Sequence, residues 1–188
     1  MRKLIFSFIL FILPAFASVK ISLKVPFSYN LLIPADTEQY KVWNGIFTGG
    51  LIAPEFQLKK LGLEPYIGLT YNWYFPYSGQ FPENITINYF NLRYGANVKF
   101  YIKNIFLGAG FGVLYTMYGT YGTSTARQKM SNDYLGNDFF FTLLGGYEYK
   151  LSDKFSLPLE FNLHIDPFLI KSILLEMQLS VGISMKIR

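Results

Sequence analysis

Residues 173–187 read ILLEMQLSVGISMKI, and their order decides the fold. Ile173, Leu175, Met177, Leu179, Val181, Ile183, Met185 and Ile187 alternate with Leu174, Glu176, Gln178, Ser180, Gly182, Ser184 and Lys186. Successive side chains of an extended chain point to opposite faces, so a period of two describes a strand with one apolar and one polar face. A helix would bring apolar residues back every three or four positions instead. The same alternation runs from Val19 to Leu31 and recurs at about 46–59, 63–75, 90–102, 105–118, 139–151 and 155–165. The pattern predicts eight strands and no helical layer between them.

The connections alternate as well. Lys60-Leu61-Gly62, Lys103-Asn104 and Ser152-Asp153-Lys154 are short enough to close hairpins. Between them lie longer polar links at about 32–45, 76–89, 119–138 and 166–172. Short turns at one end and long loops at the other predict an antiparallel, up-and-down array. Its strands exceed the roughly five or six residues usual in globular sheets. They reach the roughly 9–11 residues that a tilted strand needs to cross a bilayer.

Charge and volume choose between the faces. Charged residues make up 15% of the 188, against 51% hydrophobic and 19% aromatic; soluble domains carry roughly 25% charged residues. None of the charges falls on the apolar rows. The polar rows hold Lys20, Lys24, Glu55, Lys59, Glu64, Arg93, Lys99, Glu148, Lys150, Glu160, Glu176 and Lys186. Two closed structures fit this segregation: a lipocalin-like barrel with the apolar rows inside, or an outer-membrane barrel with them against lipid. An eight-stranded barrel has an interior that side chains just fill. The apolar rows carry Phe90, Phe100, Phe111, Phe141, Phe161 and Trp73, too bulky for that space, whereas Gly49, Gly68, Gly95, Gly108, Gly110, Gly112, Gly146 and Gly182 lie in the polar rows. The small, charged rows therefore belong in the lumen. Aromatics near the strand ends supply two candidate interfacial girdles: Tyr29, Trp43, Tyr71, Trp73 and Phe139 towards the loops, and Phe56, Phe100, Tyr149 and Phe155 towards the turns.

Residues 1–17, MRKLIFSFILFILPAFA, have a basic start, an apolar run and a small-x-small ending. That order predicts a secretory signal peptide cleaved after Ala17, leaving residues 18–188 as one barrel domain. Loss of Arg2 and Lys3 lowers the formal charge from +5 to +3, a balance that predicts no nucleic-acid partner. With no cysteine and one histidine, the chain offers no disulfide framework and little for a transition metal. No cofactor is implied.

Two stretches resemble the small eight-stranded outer-membrane barrels, the OmpA-like, OmpX-like and opacity-protein group. They are 143–161, LLGGYEYKLSDKFSLPLEF, and 94–113, YGANVKFYIKNIFLGAGFGV. The resemblance implies a monomer in the outer membrane of a Gram-negative-type cell, exported through the periplasm. Its partners would be the lipid bilayer, lipopolysaccharide and the outer-membrane assembly machinery. Members usually end in an aromatic residue used in assembly; this chain ends Met185-Lys186-Ile187-Arg188.

Within the lumen rows, Arg93, Glu160, Glu176, Lys24, Lys99 and Glu148 are the candidate ion-pair network, since buried charges are costly unless paired. The network is a structural plug on one reading and the gate of a narrow channel for ions or small solutes on another. His164, two residues from Asp166, suggests a third: with a serine such as Ser172 it would form a hydrolase triad acting on lipid A. The lipid A deacylases have a serine two residues after the histidine, and Asp166 stands there instead. Loops 32–45 (formal charge −1 from Asp36, Glu38 and Lys41) and 119–138 (zero from Arg127, Lys129, Asp133 and Asp138) are candidate surfaces for a ligand. The expected role is non-enzymatic: envelope integrity or surface interaction.

Overall fold

A computed structural model describes residues 18–34, 43–76, 85–123, 125–131, 136–166 and 172–187. The segment 1–17 expected to be a signal peptide, most of loop 32–45, Asp133 and Arg188 lie outside them. The strands are β1 (Ser18–Pro34), β2 (Trp43–Leu58), β3 (Leu61–Pro76), β4 (Thr86–Ile102), β5 (Ile105–Gly122), β6 (Arg127–Lys129), β7 (Asn137–Lys150), β8 (Phe155–Asp166) and β9 (Ser172–Lys186). Every neighbouring pair is antiparallel, and β1 closes the circle against β9 from Lys20 opposite Lys186 to Pro34 opposite Ser172. Eight strands form a closed barrel, with β6 a three-residue addition to the end of β5. Closure leaves no unpaired edge, the condition for strands in hydrocarbon.

The faces are inverted relative to a water-soluble domain. Outward side chains are large and apolar: Leu107 and Phe111 are each 62% exposed. Inward ones include Arg93, Lys99 and Glu64, each 1% exposed. Phe106 and Phe140 are also buried in the lumen, and glycines across the wall make room for them. A Cβ on Gly146 would stand 2.4 Å from Phe106 Cζ, and one on Gly112 would stand 2.3 Å from Phe140 Cζ. Prolines interrupt the ladders, having no amide hydrogen to give. Pairing of β1 with β2 skips Pro26, pairing of β2 with β3 skips Pro54, and pairing of β8 with β9 skips Pro158.

Two features differ from the periodicity. Residues 119–138 are not wholly loop, because β5 runs to Gly122 and β6 pairs back onto it, Thr120 opposite Lys129; β4 likewise begins at Thr86 rather than near 90. The alternation hides this because a bulge resets it. Phe90 faces Tyr118 and Asn91 faces Thr116, so Met117 is an extra residue and it points outward with Tyr118. Lys59 is not in a lumen row. It lies exposed in the β2–β3 turn with φ 54°, and Lys103 occupies the equivalent place in the β4–β5 turn with φ 59°.

Candidate functional site: the charged lumen

Strand parity sends every second side chain of the barrel wall inward, and the register brings charges from non-adjacent strands together. Lys24 of β1 and Lys99 of β4 each bond both Glu64 of β3 and Glu160 of β8. Lys24 Nζ lies 2.6 Å from Glu64 Oε2 and 2.7 Å from Glu160 Oε1, and Lys99 Nζ repeats both distances. The four form a closed ring of alternating sign with no net charge, and none of these side chains is more than 4% exposed. Asn97 Nδ2 donates to Glu64 Oε1 at 3.3 Å. On the turn side, Glu55 lies 3.7 Å from Lys99, and the Tyr101 hydroxyl donates its one hydrogen between the two Glu55 oxygens, at 2.8 and 2.7 Å. Tyr101→Phe leaves Glu55 only its longer contact to Lys99. It is expected to cost about 1–3 kcal/mol, read as a lower urea midpoint for the folded barrel.

The candidate residues therefore fall into three groups. Arg93 donates to Glu176 Oε1 at 2.8 Å, with its guanidinium 4.5 Å from the Phe140 ring centre and 5.1 Å from that of Phe47. Glu160, Lys24 and Lys99 belong to the ring instead. Glu148 stands apart near the turns, where Lys20 meets it at 2.7 Å and Ser156 donates to it. Lys150 and Lys186 are exposed at that mouth. Glu64 is the ring member that the sequence left in the background: its distance from the β2–β3 turn disguised its depth, because strand tilt sets depth as much as position does.

His164 is 5% exposed and faces Thr142 rather than Asp166. Its Nδ1 is 2.8 Å from Thr142 Oγ1, and its Nε2 is 3.2 Å from Gln178 Oε1 and 3.7 Å from Glu176. The side chain of Ser172 lies outside the described residues. Water has little room at this level. A cavity of about 20 Å³ lies among Tyr66, Arg93, Asn97 and Asn162, and one of about 10 Å³ lies beside Asp138, Asp166 and His164. The first is about the size of one water, and the Tyr66 hydroxyl, Arg93 Nη2 and the side-chain oxygens of Asn97 and Asn162, which have no hydrogen-bond partner among the described residues, line it. Of the girdle residues, Tyr29, Tyr71, Trp73, Phe139, Phe100, Tyr149 and Phe155 face outward and exposed, while Phe56 and Trp43 are half-buried.

No protein-family model matches the sequence, and no curated protein matches it either. The fold is that of the small eight-stranded outer-membrane β-barrels. Ail, the attachment invasion locus protein of Yersinia pestis, is 10% identical with a TM-score of 0.50, over 88% of this chain and 97% of that one. Neisserial surface protein A is 10% identical at 0.52, over 88% and 96%. The outer membrane protein OprG from Pseudomonas aeruginosa is 12% identical at 0.54, over 92% and 97%. At such identities the likeness concerns the fold.

Proposed function

We propose that the chain is a non-enzymatic outer-membrane protein whose working surface is its long-loop end, carried on a plugged barrel. One observation carries this reading: at the long-loop end β5 runs on past its last pair with β7, while β4 beside it stays paired with both β5 and β3, as far as Ile87 opposite Tyr74. The last β5–β7 pair is Tyr115 with Asn137, and β4 and β5 stay paired up to Thr86 with Gly122. Those seven further residues carry β5 about 20 Å beyond β7. The tip is ordered by its own contacts: Arg127 donates to Thr86, the Tyr121 hydroxyl donates to Gln128, and Lys129 lies 5.7 Å from the Tyr118 ring centre. Exposed tyrosines on a stiff support give contact area at low entropic cost, the property that interaction surfaces use.

The lumen supports the same reading. A neutral ring of four buried charges spans the barrel from β1, β3, β4 and β8, which leaves a channel only if the ring opens. His164 is held in the lumen by Thr142 and Gln178, away from the lipid-facing wall where an acyl substrate would arrive. In this reading the outward belt meets lipid and lipopolysaccharide.

Probing arrays of glycans and proteins with the barrel in nanodiscs tests it. Wild-type protein is expected to bind a restricted set of spots, and Tyr118→Ser with Tyr121→Ser is expected to lose them while the barrel still shifts mobility on heating. An absence of binding in wild type would leave the envelope-integrity role. A lipid A mass shift abolished by His164→Ala would establish hydrolysis instead, and discrete conductance steps altered by Glu160→Ala would establish a channel.

A further inference from the structure

The end of the barrel that carries the short turns has a built cavity of about 420 Å³, within the range of small-ligand sites. Lys20, Lys103, Lys150, Lys154 and Lys186 line it, against the two carboxylates Glu148 and Asp153. Glu148 is already matched by Lys20. Among the described residues the other four lysines have no ion-pair partner, so the mouth keeps a formal +3. No described arginine lines it.

Two local costs accompany this charge. Lys186 sits directly opposite Lys20 across the β1–β9 seam, and like charges in opposed positions destabilise a sheet. Lys103 holds left-handed backbone, φ 59°, at the first residue of a tight turn where glycine is usual. Parity also fixes the direction of the charge. Lys20, Lys150 and Lys186 continue the inward rows of Ser22, Glu148 and Ser184, all buried. The alternate outward positions are Tyr149, Met185 and Ile187, all exposed and apolar. These three lysines point to the barrel axis and the water there, not to lipid headgroups around the belt.

We propose that this mouth binds a compact, multivalent phosphate-bearing anion from the aqueous phase that the short turns face. Lysine ammoniums bind phosphate as point charges, without the planar fork by which arginine grips phosphates and carboxylates alike. The bound anion would offset the Lys20–Lys186 repulsion. The site is independent of what the long-loop end binds.

Inorganic pyrophosphate is the probe, titrated calorimetrically into the protein in nanodiscs of zwitterionic phosphatidylcholine. Saturable binding that weakens with added salt is expected. The exposed pair Lys150→Gln with Lys186→Gln should weaken it roughly tenfold or more, and Lys129→Gln, at the far end, should leave it unchanged. Absence of saturable binding would overturn the proposal, as would equal loss in the Lys129 variant. A parallel series in nanodiscs containing phosphatidylglycerol separates the two sources of phosphate. Lysine-dependent association with that lipid, without pyrophosphate binding, would assign the mouth to headgroups and overturn the aqueous ligand.

Discussion

Replacing Lys99 with methionine is expected to destabilise the folded barrel by about 3–5 kcal/mol, the cost of removing one partner from a buried ion pair. The size follows from the ring. Lys99 gives one bond to Glu64 at 2.6 Å and another to Glu160 at 2.7 Å, in a layer where neither carboxylate is more than 2% exposed. Without it, two carboxylates face the single ammonium of Lys24, and Glu55 loses its cation as well. Methionine keeps most of the volume, and its apolar end still meets the Phe106 ring, which lies 4.5 Å from the present ammonium. The loss is thus electrostatic and not a cavity effect. Adding Glu64→Gln restores one cation to one anion at the centre of the ring. The double variant should therefore be more stable than the sum of the two single losses by about 0.5–3 kcal/mol. Urea unfolding of the reconstituted protein measures both. A Lys99→Met loss below about 1 kcal/mol would mean that water reaches the ring.

Phe111→Arg probes the opposite face and separates lipid from water directly. Phe111 lies between Ala96 and Phe141 on the neighbouring strands, in the middle of the barrel part of β5, and it is 62% exposed. In water an exposed substitution of this kind changes stability by about 0.5 kcal/mol or less. Facing hydrocarbon near the midplane, arginine costs about 2–4 kcal/mol. Unfolding in phospholipid bilayers should show the larger loss, with Phe111→Leu close to wild type as the size control. Equal stabilities for the arginine and leucine variants would remove the membrane assignment of the outward rows.

The two tests differ in how far the sequence anticipates them. The Phe111 prediction can be written from alternation alone, since each strand records locally which side chains face which way. The Lys99 prediction cannot. Its partners lie on β3 and β8, and Arg93 on β4 meets Glu176 on β9. Depth in a tilted barrel depends on register as well as on distance from a turn. This is why Glu64, three residues beyond Leu61 at the start of β3, sits in the ring while Glu148 pairs near the mouth. The extension of β5 past β7 was hidden for a different reason. Met117 breaks the period of two, and beyond it Gly119 and Gly122 carry little strand signal. Pairing with β4 and β6 orders them all the same.

By itself, the sequence determined the eight strands of the barrel, their antiparallel order and the inversion of apolar and charged faces, because alternation and turn length are local properties of the chain. Tertiary structure alone decided which buried charges neutralise one another, how far β5 extends and where lysines gather at the mouth. Those depend on barrel closure, which brings strands far apart in the chain to one level and fixes which side chains share the small space inside.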